Sequence, residues 1–267
     1  MAEPKQRLDR LLVEGGLAPN ERVAQAMIIG HEVLVNDELV TKPGTAVRRD
    51  AQLRVRRQSR KYASRGGEKL DAALERFGVS VLGQSALDAG ASTGGFTECL
   101  LAHGAARVFA VDAGYGQLHS RLMNDARVVV MERTNISDLR PESFGAVTPG
   151  FCSVDLSYLS LKKAVPILEA VIADDAPMIC LIKPLYEGLR EKEFRDPVGL
   201  SRVLSELFPA LESVARRHVA ACCASPITGN NGSIEFLGLL RPEPARETHE
   251  SLVERVIAEA VQHHALT

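Results

Sequence analysis

From Ser85 onward the chain alternates short aliphatic, β-branched runs with stretches of helical periodicity, and few folds accommodate that pattern. The runs are "SALDAG", "ARVFAVDAG", "RVVVME", "GFCSVDLS", "PMICLIKP", "HVAACCASP" and "IEFLGLLR". Strands that are apolar on both faces and separated by helices form a mostly parallel sheet covered on both sides. Helices are expected over 96–103, 116–124, 160–172 and 198–211, preceded by one at "EKLDAALERFG" with Leu70, Ala73, Leu74 and Phe77 on a common side.

The first part of the chain has a different grain. Residues 5–30 read as two short amphipathic helices, the first with Leu8, Leu11 and Leu12 on one face, the second capped by Asn20 and carrying Val23, Ala26, Met27 and Ile28. "EVLVNDELV" reads as a hairpin turning at Asn36-Asp37, and "AQLRVRR" as a further strand. This small α+β unit is expected over 1–57, a basic linker over 58–67 and the larger α/β unit over 68–267.

Charge divides the chain in the same place. Residues 42–69 carry ten Lys/Arg against Asp50 and Glu68, and residues 1–69 hold 14 basic and 9 acidic side chains on a chain of net charge −2. A basic head on an acidic body points to a polyanionic partner, the plainer alternative being a solvated face. The cations expected to touch such a partner are Arg7, Arg10, Arg22, Lys42, Arg48, Arg49, Arg54, Arg56, Arg57, Arg60, Lys61 and Arg65. No apolar run reaches the roughly 18 residues of a membrane span, and the N-terminus lacks the apolar stretch of a signal peptide. The five cysteines show neither CxxC nor metal-like spacing, so free thiols, no metal and a cytoplasmic location are expected.

"LDAGASTGGF", residues 87–96, places three glycines between a strand and a helix. At the carboxyl ends of parallel strands such a turn lets a ligand approach the backbone. Asp112, ending the next strand, can accept hydrogen bonds from both hydroxyls of a ribose. The loop lacks the Walker lysine and does not fit G-x-G-x-x-G. Asp88 would also repel a pyrophosphate. A cofactor with a ribose and a positive centre but no phosphates, S-adenosylmethionine, satisfies these conditions, with a ligand-free tight turn or a dinucleotide site as alternatives.

Four polar residues stand at element ends: Lys69 opening a helix, Asp155 after "FCSV", Lys183 after "MICLI" and Glu235 at the start of the strand "IEFLGLL". An ionisable group after an apolar run is costly unless it faces a cleft. With the glycine loop, this set resembles the K-D-K-E tetrad of RrmJ/FtsJ-type ribose 2′-O-methyltransferases. "SRGGEKL", "LDAGASTGGFTE", "DAGYGQLH", "ERTN", "VDLSYLSL", "LIKPLYE" and "NGSIEF" are similar, in order, to the TlyA (hemolysin A) family. The resemblance implies a Rossmann-like methyltransferase sheet with one antiparallel strand, preceded by an RNA-binding domain of the alpha-L type. It implies 2′-O-methylation of ribosomal RNA, at cytidine, with RNA or ribosomal subunits as partners and neither DNA nor membrane. Lys69, Asp155, Lys183 and Glu235 are then catalytic, and Asp88, Gly90, Ser92, Gly94, Asp112 and Asn135 hold the cofactor. The chain departs from the family pattern at Asn20-Glu21, where Ser-Arg is usual, and in a shorter segment after Lys183.

On chemical grounds, Lys183 either takes the hydroxyl proton or stabilises the developing alkoxide, with Lys69 as a second cation and the carboxylates orienting both. Tyr62 either stacks on a base or packs on a domain. Competing functions are a non-catalytic RNA-binding or ribosome-assembly factor, a nicotinamide-dependent oxidoreductase with the wrong fingerprint, and a cytolysin for which the sequence offers no membrane-active segment.

Overall fold

The computed structural model describes residues 5–30, 32–55 and 61–266, with Asn230 described by its backbone alone. His31, Arg56, Arg57 and Arg60 lie outside the described residues.

In the head, β1 (Lys5–Arg7) runs into α1 (Leu8–Glu14), followed by α2 (Glu21–Ile29), β2 (Val33–Val35), β3 (Glu38–Leu39), β4 (Ala46–Arg48) and β5 (Leu53–Val55). Asn20 caps α2 by accepting from the Val23 amide at 2.9 Å. Asn36 and Asp37 both take positive φ, 49° and 65°, the backbone of a type I′ hairpin turn between β2 and β3. Leu8, Leu11 and Leu12 of α1 and Ala24 and Ile28 of α2 close over Val33 and Val35 to form one small core. The pairing of β1 with β4 is not foreshadowed by periodicity, since three-residue strands are too short to show any.

The body contains α3 (Arg65–Phe77), β6 (Ser85–Ala89), α4 (Gly95–Ala102), β7 (Arg107–Asp112), α5 (Ser120–Met123) and β8 (Val128–Glu132). It continues with β9 (Phe151–Val154), α6 (Leu161–Glu169), β10 (Met178–Ile182), α7 (Pro197–Val214), β11 (His218–Ala224), β12 (Phe236–Arg241) and α8 (His249–His264). All seven expected strands join one sheet in the order β11-β12-β10-β9-β6-β7-β8. Only β12 is antiparallel to its neighbours, β10 and β11. Strand order reverses between β6 and β9, which opens a crevice at the carboxyl ends of the parallel strands.

Alternate strand residues feed two cores. Leu87, Cys180 and Ile182 pack with α6, α7 and α8, while Ala86, Ile179 and Leu181 pack with α3 and α4 on the other face. The helix α8 was not expected, although Leu252, Val253, Val256 and Ala260 mark its buried stripe clearly enough. α3 begins three residues before Glu68, because Ser64 caps it and accepts from the Gly66 amide. Just before it, Tyr62 is 2% exposed in the core beside α3 and α4, so packing and not base stacking is its role.

Candidate active site

Because β12 runs antiparallel, its first residues lie on the same rim as the last residues of the parallel strands. Ile182 pairs directly with Phe236, which sets Lys183 and Glu235, one residue further out on each strand, side by side. Asp155 follows the end of β9, the other neighbour of β10. Lys69, in the first turns of α3, reaches the rim from the side. The four residues form two ion pairs: Lys69 with Glu235, and Lys183 with Asp155 at 2.6 Å. Lys183 Nζ also donates to Ser157 Oγ at 2.9 Å. Lys69 and Glu235 are buried, 8% and 5% exposed. Each lysine thus faces a carboxylate. Ser157 was missed as a site residue, although it stands two positions after Asp155 in "VDLSYLSL".

Beside the pairs opens a cavity of about 580 Å³, within the size range of small-molecule sites. Gly90, Ser92, Asp112 and Gln117 line it together with all four charged residues. Gly90 has φ +94°, and a Cβ there would overlap the Asp155 carbonyl, so only glycine lets the loop lie against the end of β9. Ser92 is held in the left-handed region at φ 46°. Its amide donates to Asp112 Oδ2 at 2.8 Å, and the Gly114 amide donates to Oδ1 at 2.6 Å. A carboxylate oxygen has two acceptor sites, so Asp112 retains capacity for two ligand hydroxyls.

Three expected cofactor contacts are not in the cavity wall. Asp88 alternates with Leu87 and Ala89 and therefore turns inward towards α4, fully buried, where Thr97 Oγ1 and Ser153 Oγ donate to it at 2.6 and 3.0 Å. Burial above all, with a smaller push from Asp155, lifts its carboxyl to about 7 against those two hydrogen bonds. Placed there, Asp88 does not face a ligand in the cavity; Asp112, Asp155 and Glu235 do, the last two paired with lysines. Gly94, φ +95°, lies against α5, where a Cβ would overlap Leu122. Asn135 caps a short 3₁₀ turn, accepting from the Ser137 amide at 3.1 Å. A further departure concerns metals: Asp71, Cys99 and His103 meet with ligand atoms within 4.8 Å of one another, which linear spacing did not show. Asp71 is already taken by Lys61 at 2.5 Å and His103 at 2.6 Å, and these hold its carboxyl below the usual range although burial pushes the other way.

The described basic residues of the head are mostly paired as well. Arg7 binds Asp9, Arg10 binds Glu21, Arg48 binds Asp50, Arg49 binds Glu14 and Arg54 binds Asp37. Glu21, the departure from the family pattern, thus serves as the partner of Arg10. Lys42 is exposed on the turn before β4. Arg65 lines the cavity and donates to the Thr228 carbonyl at 2.7 Å. Arg22 leaves the head altogether and pairs at 2.5 Å with Glu132, the last residue of β8. Ile29 and Gly30, at the end of α2, reach the cavity wall too. No helix among the described residues is long and apolar enough to cross a membrane.

Residues 62–241 match the FtsJ-like methyltransferase model, and residues 6–53 match the S4 domain model. The 16S/23S rRNA (cytidine-2′-O)-methyltransferase TlyA of Mycobacterium tuberculosis is 40% identical over 266 residues, covering 96% of this chain and 98% of the relative. The chain belongs to the TlyA family of FtsJ-like methyltransferases. Hemolysin A of Brachyspira hyodysenteriae is 36% identical over 86% of this chain and 98% of its own length. A solved structure named as a hemolysin, from Streptococcus thermophilus, superposes with a TM-score of 0.73 at 32% identity, over 99% of this chain and 98% of that one. The family accounts for both parts of the molecule: an S4 domain ahead of a Rossmann-like sheet with one reversed strand.

Proposed function

We propose that this protein transfers a methyl group from S-adenosylmethionine to the 2′-oxygen of a ribose in ribosomal RNA, at a cytidine as in its M. tuberculosis relative. The observation that carries the reading is the double pair Lys69–Glu235 and Lys183–Asp155 on the wall of a cavity edged by a glycine loop. The fit to the cofactor rests on Asp112, free to accept two hydroxyls, on the backbone opened by Gly90, and on the carboxylates that suit a positive ligand. When bound, the cofactor supplies an electrophilic methyl on a sulfonium. As an ammonium, Lys183 neutralises the growing negative charge on oxygen while the hydroxyl proton leaves to Asp155 or water; as a base it takes that proton only after giving up its own. Asp155 and Ser157 fix where Lys183 points, and Glu235 does the same for Lys69. Much of the acceleration then comes from aligning the oxygen with the methyl.

The head, assigned to 1–57 and joined through 58–67 to the catalytic part at 68–267, holds RNA backbone through the basic residues named above, Arg56, Arg57 and Arg60 among them. Those contacts position the substrate without reading its sequence. The substrate is ribosomal RNA or a ribosomal subunit, and the place of work the cytoplasm. The test is transfer of labelled methyl to unmodified ribosomal RNA and subunits. Wild-type protein is expected to yield 2′-O-methylcytidine and Lys183→Ala to lose at least about a hundredfold in rate, with cofactor affinity kept. Cofactor binding without transfer to any RNA overturns the assignment in favour of an RNA-binding assembly factor.

A further inference from the structure

A second cluster of chemistry-bearing side chains lies outside the site described above. Asp71 stands two residues after Lys69 on α3, a spacing that turns it to another side of the helix. Cys99 of α4 and His103 just beyond its end are four residues apart and share one face, where α4 packs on α3. The oxygen, sulfur and nitrogen atoms they offer lie within 4.8 Å of one another. None of the three residues lines the cavity beside the ion pairs. Cys99 is fully buried, while the Asp71 and His103 side chains keep 15% and 28% exposure, an opening to solvent. Asp71 Oδ1 meets His103 Nε2 at 2.6 Å, and Oδ2 accepts from the Lys61 ammonium. One group in the cluster is unsatisfied. The Tyr62 hydroxyl is buried, faces Lys61, Asp71 and Cys99, and has no hydrogen-bond partner in usable geometry. Buried hydroxyls are rarely left so.

We propose that Asp71, Cys99 and His103 form a binding site for a divalent ion of the zinc class, with the Tyr62 hydroxyl or a water as fourth ligand. The inference stands apart from the methyl-transfer reading. The donor set argues for the ion: a carboxylate, a thiolate and an imidazole together suit zinc, whereas calcium and magnesium take oxygen ligands. Tetrahedral bonds of about 2.0–2.3 Å put neighbouring donors about 3.3–3.8 Å apart. Asp71 and His103 therefore part slightly to admit the ion between them. A cation already holds that place. The Lys61 side chain is 61% exposed, and an exposed ammonium exchanges readily for another positive charge. On binding, the Cys99 thiol gives up its proton to solvent and Lys61 swings into water, with no change of oxidation state. The ligands come from two helices, so the ion acts as a staple. It ties α3, which carries Lys69, to α4, which begins at the glycine loop.

The experiment uses the full-length protein, stripped with a chelator and titrated with zinc chloride against a chromophoric competitor. Cobalt chloride then serves as the spectroscopic probe. Wild type is expected to take up one zinc per chain and to melt at a higher temperature with zinc than without. Cobalt should give a thiolate charge-transfer band and the visible bands of a tetrahedral site. Cys99→Ser should abolish the charge-transfer band, and His103→Gln should weaken zinc binding by at least about a hundredfold. Circular dichroism checks that each variant is folded. Lys61→Ala leaves every ligand in place; it should tighten zinc binding and keep the cobalt spectrum. Zinc uptake that is absent in wild type, or equal in wild type, Cys99→Ser and His103→Gln, overturns the site and leaves a cluster closed by Lys61. Weaker binding in Lys61→Ala overturns the claim that the lysine holds the ion's place.

Discussion

Arg48 and Asp50 in the head pair at 2.5 Å with side chains 58% and 46% exposed, whereas Arg217 and Glu169 in the body pair at 3.1 Å with side chains 1% and 5% exposed. Arg217 also donates to the carbonyls of Ala173, Asp174 and Ala176, so its guanidinium is bonded on every side. An exposed pair contributes about 0–1 kcal/mol and exchanges readily for another anion. A buried pair adds little over an apolar replacement, but half of it left alone is strongly destabilising. The head therefore keeps its cations in loans that a phosphate can take over, while the body uses opposite charges to fix positions. Of the lysine–carboxylate pairs in the candidate active site, Lys69–Glu235 is of the second kind, while Lys183–Asp155 is half-buried, where a substrate can reach it.

The largest effect that separates the two regions is expected from Arg217→Ala, which strands Glu169. A loss of about 3–5 kcal/mol, or roughly 10 °C in melting temperature, is expected by calorimetry. Replacing both partners, Arg217→Met with Glu169→Leu, should recover most of it, and equal damage from the double change would break the argument. A smaller, pH-dependent effect is expected at Asp88. Its carboxyl is raised to about 7 in the folded protein, above its unfolded value near 4, so the native state binds the extra proton. Its contribution to stability is full below about pH 4, falls as pH rises towards about 7, and is constant above. Urea unfolding at pH 5 and pH 8 should show Asp88→Asn gaining relative to wild type as the pH rises; parallel curves would mean the carboxyl is not perturbed. Smallest in stability is the pair Arg48→Gln and Arg49→Gln. Unfolding free energy should move by less than about 0.5 kcal/mol. RNA binding should weaken uniformly, with the slope of log affinity against log salt falling by roughly one per lost phosphate contact.

What could be read in advance follows from range. Continuous apolar runs between helical stretches gave away every strand of the large sheet, and Asn36-Asp37 gave away its turn, because both signals are local. The places of Asp155 and Lys183 at the ends of apolar runs and of Glu235 at the start of one were readable, and the family resemblance joined Lys69 to them as a set. Who pairs with whom was not readable, because Lys69 and Glu235 are 166 residues apart in the chain. Asp88 was misjudged because a residue next to a binding loop looks like part of it, while the pleat of β6 turns its side chain to the opposite side. The net charge of the head included Asp9, Glu14, Glu21, Asp37 and Asp50, but a count does not show that each of them faces one of the cations.

Arg22 and Glu132 join the head to the body at the tip of β8, and the end of α2 forms part of the wall of the cavity beside the ion pairs. On the proposed function, the distance from the gripped RNA backbone to the waiting methyl is then set by the protein. On that reading the head is a fixed arm of a caliper: it measures a span along folded RNA, and a nucleotide is chosen by where it falls on that span as well as by its own identity.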